Sequence, residues 1–276
     1  MKYMTFQNSC SFCCLANMLE KYGLDISDRQ ILLDADLPYI FRYDSASDAF
    51  LTGAMLQTEA DYNRALRQYG FLFVDTLVRK EALTTFLSTH VPCMIGLSAE
   101  NGGKHAMVLT RTENDTFYFL NPHREHDEEP DEIALTTADL STRVDEESHV
   151  GYLKQVDNKD RPQSENLRDS APAELSKSLQ ALALYEERMT AFCQDLPSLA
   201  EILTVRDSLL RPIALDLPVM MGLIGETDLH SRPLLFQKQI FALFRPDEGK
   251  APQAPDLVLF CEILEDYKKL LNSQAK

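Results

Sequence analysis

A polar segment at residues 157–172 (DNKDRPQSENLRDSAP) divides the chain into two parts with different patterns of apolar residues. The segment contains two prolines and almost no apolar side chains, which is typical of a linker. Before it, short apolar runs rich in β-forming residues alternate with helical patterns, whereas after it only the helical i, i+3, i+4 spacing recurs. The sequence therefore predicts an α+β domain over residues 1–156, a polar linker over 157–172 and an all-helical domain over 173–276.

The charge of the chain limits its partners. Its 276 residues carry a formal net charge of -16. Such a surface repels phosphate backbones and anionic lipids, so we expect neither nucleic acid nor a membrane as a partner. No stretch approaches the ~18 apolar residues that a membrane span requires. The N-terminal residues MKYMTFQNSC also lack the apolar core of a signal peptide, which favours the cytoplasm.

The cysteines of a cytoplasmic chain of this length are expected to be free thiols. They lie at positions 10, 13, 14, 93, 193 and 261, so three of them are clustered near the N-terminus. The last four of these positions are in apolar runs, where a cysteine is usually a small buried hydrophobe.

Residues 10–22 (CSFCCLANMLEKY) form the first strong helical pattern. The apolar side chains recur at helical spacing, at Phe12, Leu15, Ala16 and Leu19. Gly23 follows directly as a natural terminator. Cys10 then falls at the first turn, where unpaired backbone N–H groups and the positive end of the helix dipole stabilise a thiolate. Cys10 is therefore a candidate nucleophile.

Three short runs, PCMIGLSA, HAMVLTRT and DTFYFLNP, follow one another with turn residues between them. They predict a small antiparallel meander. His105 begins the second run and Asn121 lies near the end of the third, so the hairpin would bring the two residues together. A thiol nucleophile needs a base, a group that orients the base, and donors for the oxyanion. We assign these roles to His105, Asn121 and Gln7 respectively, with no cofactor.

The segment CSFCCLANMLEKYG resembles the nucleophile helix of the papain-like leader peptidases attached to bacteriocin exporters. Counted from Cys10, the positions that match that family are Leu15, Ala16, Tyr22 and Gly23. The spacing from His105 to Asn121 matches the family's His-to-Asp spacing, and Asn121–Pro122 stands where the family has Asp-Pro. The resemblance implies a papain-like fold, in which the nucleophile helix packs on a small antiparallel sheet.

The same region is similar to the N-terminal domain of the butirosin-biosynthesis acyltransferase. The matching positions are Cys10, Leu15, Asn17, Leu19, Gly23 and Ser27. Members of that group often carry a helical C-terminal domain. This resemblance implies transfer of an acyl group from a carrier-protein thioester to an amine through an acyl-cysteine. The substrate is thus a peptide or an acyl-carrier-protein-linked group, and cysteine peptidase and acyltransferase both stay open.

Two departures from the exporter peptidases leave a second nucleophile open. Ser11 replaces the Gly after the nucleophile, and Met4 stands where those peptidases have the oxyanion Gln, six residues before it. Gln7 is six residues before Cys13, and QNSCSFCC also resembles the papain pattern Gln-x-Ser-Cys-x-x-Cys. Cys13 is therefore the alternative nucleophile, although the helical pattern that ends at Gly23 favours Cys10.

Two other classes of protein compete with the enzyme. One is a catalytically inactive papain-like module that binds or senses a peptide. The other is a zinc protein with ligands Cys10, Cys13, His123 and His126, since Cys-x-x-Cys and His-x-x-His are zinc-ligand spacings. A homodimer through the helical domain is also left open.

Overall fold

The computed structural model describes residues 1–6, 8–98, 103–122, 131–156, 165–244 and 253–274. In chain order, the described helices are α1 (Cys10–Glu20), α2 (Asp28–Asp34), α3 (Glu59–Leu66), α4 (Lys80–Thr89), α5 (Thr137–Arg143), α6 (Glu165–Gln194), α7 (Leu199–Thr204), α8 (Leu217–Ile224), α9 (Thr227–Phe244) and α10 (Leu257–Ser273). The strands are β1 (Phe41–Asp44), β2 (Ala49–Thr52), β3 (Phe71–Arg79), β4 (Cys93–Ser98), β5 (Lys104–Glu113), β6 (Thr116–Leu120), β7 (Glu132–Thr136) and β8 (Glu147–Gln155).

The chain forms two compact units, each made from two stretches of sequence. The first consists of Met1–Ala35 and Gln57–Pro162, and the second of Asp36–Leu56 and Gln163–Lys276. The predicted mixed α and β composition, with an antiparallel sheet and a helical C-terminal region, is confirmed.

The first unit is built on a six-stranded antiparallel sheet with the order β3-β8-β4-β5-β6-β7. The predicted meander is its β4–β5–β6 part. Alternate residues of these strands, such as Ile95, Leu109 and Phe119, are buried in one apolar cluster with Leu87 of α4 and Leu140 of α5. These alternating residues give the sheet one apolar face, and Met94 and Val108 are buried on the other face.

Helix α1 packs against β4 and β5 of this sheet. Its side chains from Ser11 to Leu19 are all buried, so the helix is held mainly by packing around most of its circumference. The helix begins at Cys10, and the N–H of Cys13 donates to Ser9 O at 2.7 Å to close the first turn. After Glu20 the chain turns through Gly23, whose φ of +81° favours glycine. The predicted start and terminator of this helix agree with the structure.

The boundaries of the predicted first domain differ from the structure at residues 36–56. The β1–β2 hairpin belongs to the second unit, where Phe41 and Phe50 pack against Tyr185 of α6 with ring centroids 5.2 and 4.8 Å apart. The hydroxyl of Tyr267 in α10 donates to Pro38 O at 2.9 Å in the same core. The second unit therefore contains a small hairpin and is not all-helical, because aromatic side chains early in the chain complete the core of its helices.

The predicted polar linker over 157–172 is also wrong in part. Residues 157–164 lie outside the described residues, but the backbone is helical from Glu165, and Pro172 lies inside α6. The second half of the segment contains good helix formers such as Glu165, Leu167 and Ala171, and it lacks glycine. A helix needs an apolar stripe to pack but not to form. The polar composition of this segment therefore predicted a linker where α6 has already begun.

Candidate active site

Cys10 is the first residue of α1 and is half-buried. The other two cysteines of the cluster are fully buried in the same helix. Cys93 and Cys193 are buried as well, which confirms their prediction as packing residues, whereas Cys261 of α10 is half-buried. Cys10 is thus the least buried cysteine of the N-terminal cluster.

Cys13 lies one turn into the helix in an environment that suits a neutral thiol. Its Sγ is 3.3 Å from Lys2 O, to which the thiol donates, and 3.7 Å from Asn17 Nδ2. Burial raises the pKa of the Cys13 thiol to about 12, and the charges of Asp28 and Cys10 act in the same direction. A thiol must ionise to attack, so this environment favours Cys10 over Cys13 as nucleophile.

The described residues before Cys10, residues 1–6 and 8–9, are called the arm here, and they are hydrogen-bonded to both neighbouring helices. At its start, Lys2 N donates to Asn17 Oδ1 at 2.8 Å, and Asn17 Nδ2 donates back to Lys2 O at 2.9 Å. Asn17 is 1% exposed, so this reciprocal pair fixes the arm along α1. Asn8 then turns the chain into the helix with φ +64°, a conformation that asparagine tolerates better than most residues.

Asp28, the first residue of α2, holds the other end of the arm. Its carboxylate accepts hydrogen bonds from Thr5 N at 2.9 Å, from Thr5 Oγ1 at 2.7 Å and from Ser9 Oγ at 2.7 Å. Asp28 is 2% exposed and Ser9 is fully buried, so these bonds are shielded from water. Since Ser9 directly precedes Cys10, Asp28 helps to set where α1 begins. Sequence reasoning missed this residue, although Ser27–Asp28 is visible as a helix start with an acidic first residue.

The arm also forms a hydrogen bond to the residue that directly follows Asn121, the third predicted site residue. Met4 N donates to Pro122 O at 3.2 Å, and Asn121 N donates to Asp131 O at 2.9 Å. Asn121 is 5% exposed and follows the last residue of β6. The structure therefore links the chain segment that leads into Cys10 to the residue directly after Asn121.

The register of the sheet places His105 close to Asn121. His105 is the second residue of β5, is half-buried and lies opposite Leu97 of β4. Val108 of β5 lies opposite Leu120 of β6, so the same register continued by one residue sets Asn121 opposite Met107. His105 and Met107 share a face of the strand, which makes His105 and Asn121 diagonal neighbours on that face.

Other predicted site residues lie outside the part of the chain that the structure describes. These are the oxyanion candidate Gln7 and the two zinc candidates His123 and His126. Among the described residues, no group of three or more His, Cys, Asp or Glu side chains could hold a metal ion. The metal content of the purified chain is the measurement that tests the zinc hypothesis.

No protein-family model matches the chain, and no curated protein matches it. Among the helices of the described residues, none is long and apolar enough to cross a membrane.

Proposed function

We propose that the chain is a papain-like thiol enzyme that transfers acyl groups through Cys10, with His105 as the base and Asn121 orienting that base. One observation carries the proposal. The half-buried thiol of Cys10 begins a helix that packs on the strand of His105, and the arm before Cys10 is hydrogen-bonded to the residue after Asn121.

The reaction uses these groups in two steps. The Cys10 sulfur attacks the carbonyl carbon of a thioester or amide while His105 takes the thiol proton, and His105 then protonates the departing thiol or amine. The acyl group, now on Cys10 as a thioester, is released to water in a peptidase or to an amine in an acyltransferase. The first N–H groups of a helix are outside its hydrogen-bond ladder and can donate to the oxyanion, with Gln7 as the proposed side-chain donor.

The reactivity of Cys10 is tested by alkylation with iodoacetamide at neutral pH. Cys261 is the matched control within the same chain, because it is the other half-buried cysteine and begins no helix. We expect Cys10 to be alkylated faster than Cys261 and faster than a free cysteine derivative. Equal rates for the two residues would exclude an activated nucleophile at Cys10.

The acyl-cysteine is tested with a small acyl thioester probe, followed by peptide mass mapping. An adduct should form at Cys10, disappear in Cys10→Ala, and persist in both Cys13→Ala and Cys261→Ala. Offering amines and water as acceptors to the loaded protein then separates an acyltransferase from a peptidase. An adduct that survives Cys10→Ala and is lost in Cys13→Ala would move the nucleophile to Cys13.

A module that binds a peptide without turnover is the second candidate. It is favoured by Met4, which occupies the position of the exporter peptidases' oxyanion Gln and has no polar side-chain donor, and by Ser11 in place of their Gly. A peptide that binds with measurable affinity, is recovered intact and leaves no adduct on Cys10 would support this candidate over the enzyme.

A further inference from the structure

The thiols of Cys10 and Cys13 lie in the same helical turn. The hydrogen bond from Cys13 N to Ser9 O shows that this first turn is fully formed. Ideal helix dimensions put the Cα atoms of residues three apart at about 5 Å. That value lies within the range of roughly 4.4–6.8 Å found for disulfide-bonded cysteines.

The side chains need only a small movement to meet. Cβ atoms three residues apart on a helix are separated by about 5–6 Å, and a disulfide brings them to about 3.8 Å. Cys10 can supply this movement because it is the first residue of α1, and the N–H of a first helical residue has no partner within the helix. Cys10, Cys13 and Asn17 lie on one face of α1, since residues 10, 13 and 17 follow the i, i+3, i+7 spacing.

The buried hydrogen-bond acceptor next to Cys13 keeps a donor when the Cys13 sulfur becomes part of a disulfide. The thiol donates to Lys2 O, but this carbonyl also accepts from Asn17 Nδ2 at 2.9 Å. Oxidation of Cys13 would therefore leave no buried carbonyl without a donor. The two thiols also differ in access, because Cys10 is half-buried and Cys13 is fully buried. An oxidant can reach the first directly and the second only through the first.

We propose that Cys10 and Cys13 form a reversible disulfide by exchange with a small-molecule disulfide such as oxidised glutathione. The Cys10 thiolate attacks one sulfur of glutathione disulfide, forms a mixed disulfide and releases one glutathione thiolate. Cys13 then attacks Cys10 Sγ, its proton passes to the departing glutathione sulfur, and the second glutathione leaves as a thiol. Two protein thiols are oxidised and one glutathione disulfide is reduced to two thiols. The closed bond removes the Cys10 thiol from acyl transfer until a dithiol reopens it.

Cys14 is the competing partner for Cys10. It is four residues away, so its Cα atom lies at about 6 Å from that of Cys10 in an ideal helix, near the upper end of the disulfide range. Cys14 is fully buried, as Cys13 is, and desolvation raises the pKa of both thiols, so burial does not distinguish the two. The shorter Cα–Cα separation favours Cys13 over Cys14 as the partner of Cys10, and peptide mass analysis distinguishes the two disulfides.

The experiment equilibrates the full chain with mixtures of oxidised and reduced glutathione, quenches with acid and blocks the remaining thiols with N-ethylmaleimide. Trypsin then releases residues 3–21 as one peptide that contains all three clustered cysteines. We expect this peptide to carry one maleimide, on Cys14. Its mass should be two hydrogen masses below that of the same singly blocked peptide with two free thiols, and it should not fragment between positions 10 and 13. Dithiothreitol should restore three blocked thiols.

Two variants make the result specific. Cys14→Ala should still form the disulfide, whereas Cys13→Ser should stop at the mixed disulfide between Cys10 and glutathione. A wild-type chain that also stops at the mixed disulfide, keeps free thiols or links Cys10 to Cys14 would overturn the proposal. The effect of the disulfide on acyl transfer rests on the proposed function, but the bond itself is read from mass. Its failure is therefore distinguishable from a failure to detect an acyl-cysteine.

Discussion

The N–H of Met4 donates to the carbonyl oxygen of Pro122 at 3.2 Å, and this bond joins the arm before the nucleophile helix to the end of β6. The two residues lie in segments that lead to different parts of the proposed catalytic site. Met4 is six residues before Cys10, and Pro122 directly follows Asn121. A backbone bond of this kind does not depend on the identity of either side chain. The arm therefore links the helix to the sheet and does more than lead into α1.

Removing the carboxylate of Asp28 should loosen this arm. Asp28→Ala deprives Thr5 and Ser9 of their common hydrogen-bond acceptor. Because hydrogen bonds to a charged group are stronger than those between neutral groups, we expect the free energy of unfolding to fall by about 2–3 kcal/mol. Denaturant unfolding measures the loss, and the alkylation rate of Cys10 should fall with it.

Asp25→Asn is the matched control for Asp28→Ala. Asp25 also bonds to the arm, through an ion pair with Lys2 Nζ at 2.6 Å, but its side chain is 97% exposed. Exposed pairs contribute little to stability. Unfolding of Asp25→Asn should therefore be indistinguishable from that of the wild type. If Asp28→Ala behaves the same way, Asp28 does not hold the arm.

The proposed roles of His105 and Asn121 predict different responses to substitution. His105→Ala should reduce the rate of acyl-cysteine formation by about 10²–10⁴-fold, which is the usual contribution of a general base. Asn121→Ala should cause a smaller loss, and Asn121→Asp should recover much of it because a carboxylate can orient an imidazole in the same way. Single-turnover labelling with the acyl thioester probe measures all three rates.

His149→Ala provides the control for a histidine on the same sheet. His149 lies on β8, is 71% exposed as a side chain and pairs with Asp75. Its replacement should leave the labelling rate unchanged. Equal effects of His149→Ala and His105→Ala would show that neither histidine is the base.

Local sequence patterns were sufficient where neighbouring residues determine the structure. The start of α1 follows from Cys10 preceding an apolar stripe, and its end follows from Gly23. The β5–β6 hairpin follows from its short turn, which sets a register from Val108 opposite Leu120 to Glu113 opposite Thr116. Both relationships involve residues that are close in sequence.

The division of the chain into its two units and the attachment of the arm depend on contacts between residues that are distant in sequence. Phe41 and Phe50 look like core residues of either unit, and only their packing against Tyr185 decides which unit they complete. Asp28 reads as an ordinary acidic residue in a first helical turn, and its bond to Ser9 crosses 19 positions. No local pattern encodes such a partner, so the arm's attachment could not be predicted.

Asp216 in the second unit should make stability depend on pH. Burial raises the pKa of its carboxyl from 3.8 to about 7, against the opposing charge of Arg211, whose Nε is 3.4 Å away, while Asp207 adds to the rise. The folded state therefore keeps a proton that the unfolded state loses between about pH 4 and pH 7. Stability from this group is fully present below pH 4 and is lost as the pH rises to about 7.

Asp216→Asn removes this dependence. A pKa shift of this size corresponds to about 4 kcal/mol at most, since each unit is worth about 1.4 kcal/mol. Thermal unfolding at a series of pH values should show the variant gaining stability relative to the wild type as the pH rises from 4 to 7. A difference between the two proteins that is constant over this range would show that Asp216 titrates normally in the folded state.

Gly151, on β8 between β3 and β4, should not accept a side chain. A Cβ atom built there would overlap the ring of Phe73 on β3, whereas one built at Gly96 on the adjacent strand β4 would meet nothing within 4 Å. Overpacking a core typically costs about 1–3 kcal/mol, so Gly151→Ala should lower the free energy of unfolding by that amount and Gly96→Ala should not. Adding Phe73→Leu to Gly151→Ala should recover part of the loss, because the smaller side chain makes room for the methyl group. Denaturant unfolding of the single and double variants gives the coupling between the two positions, and strict additivity would mean that the ring is not what excludes the methyl group.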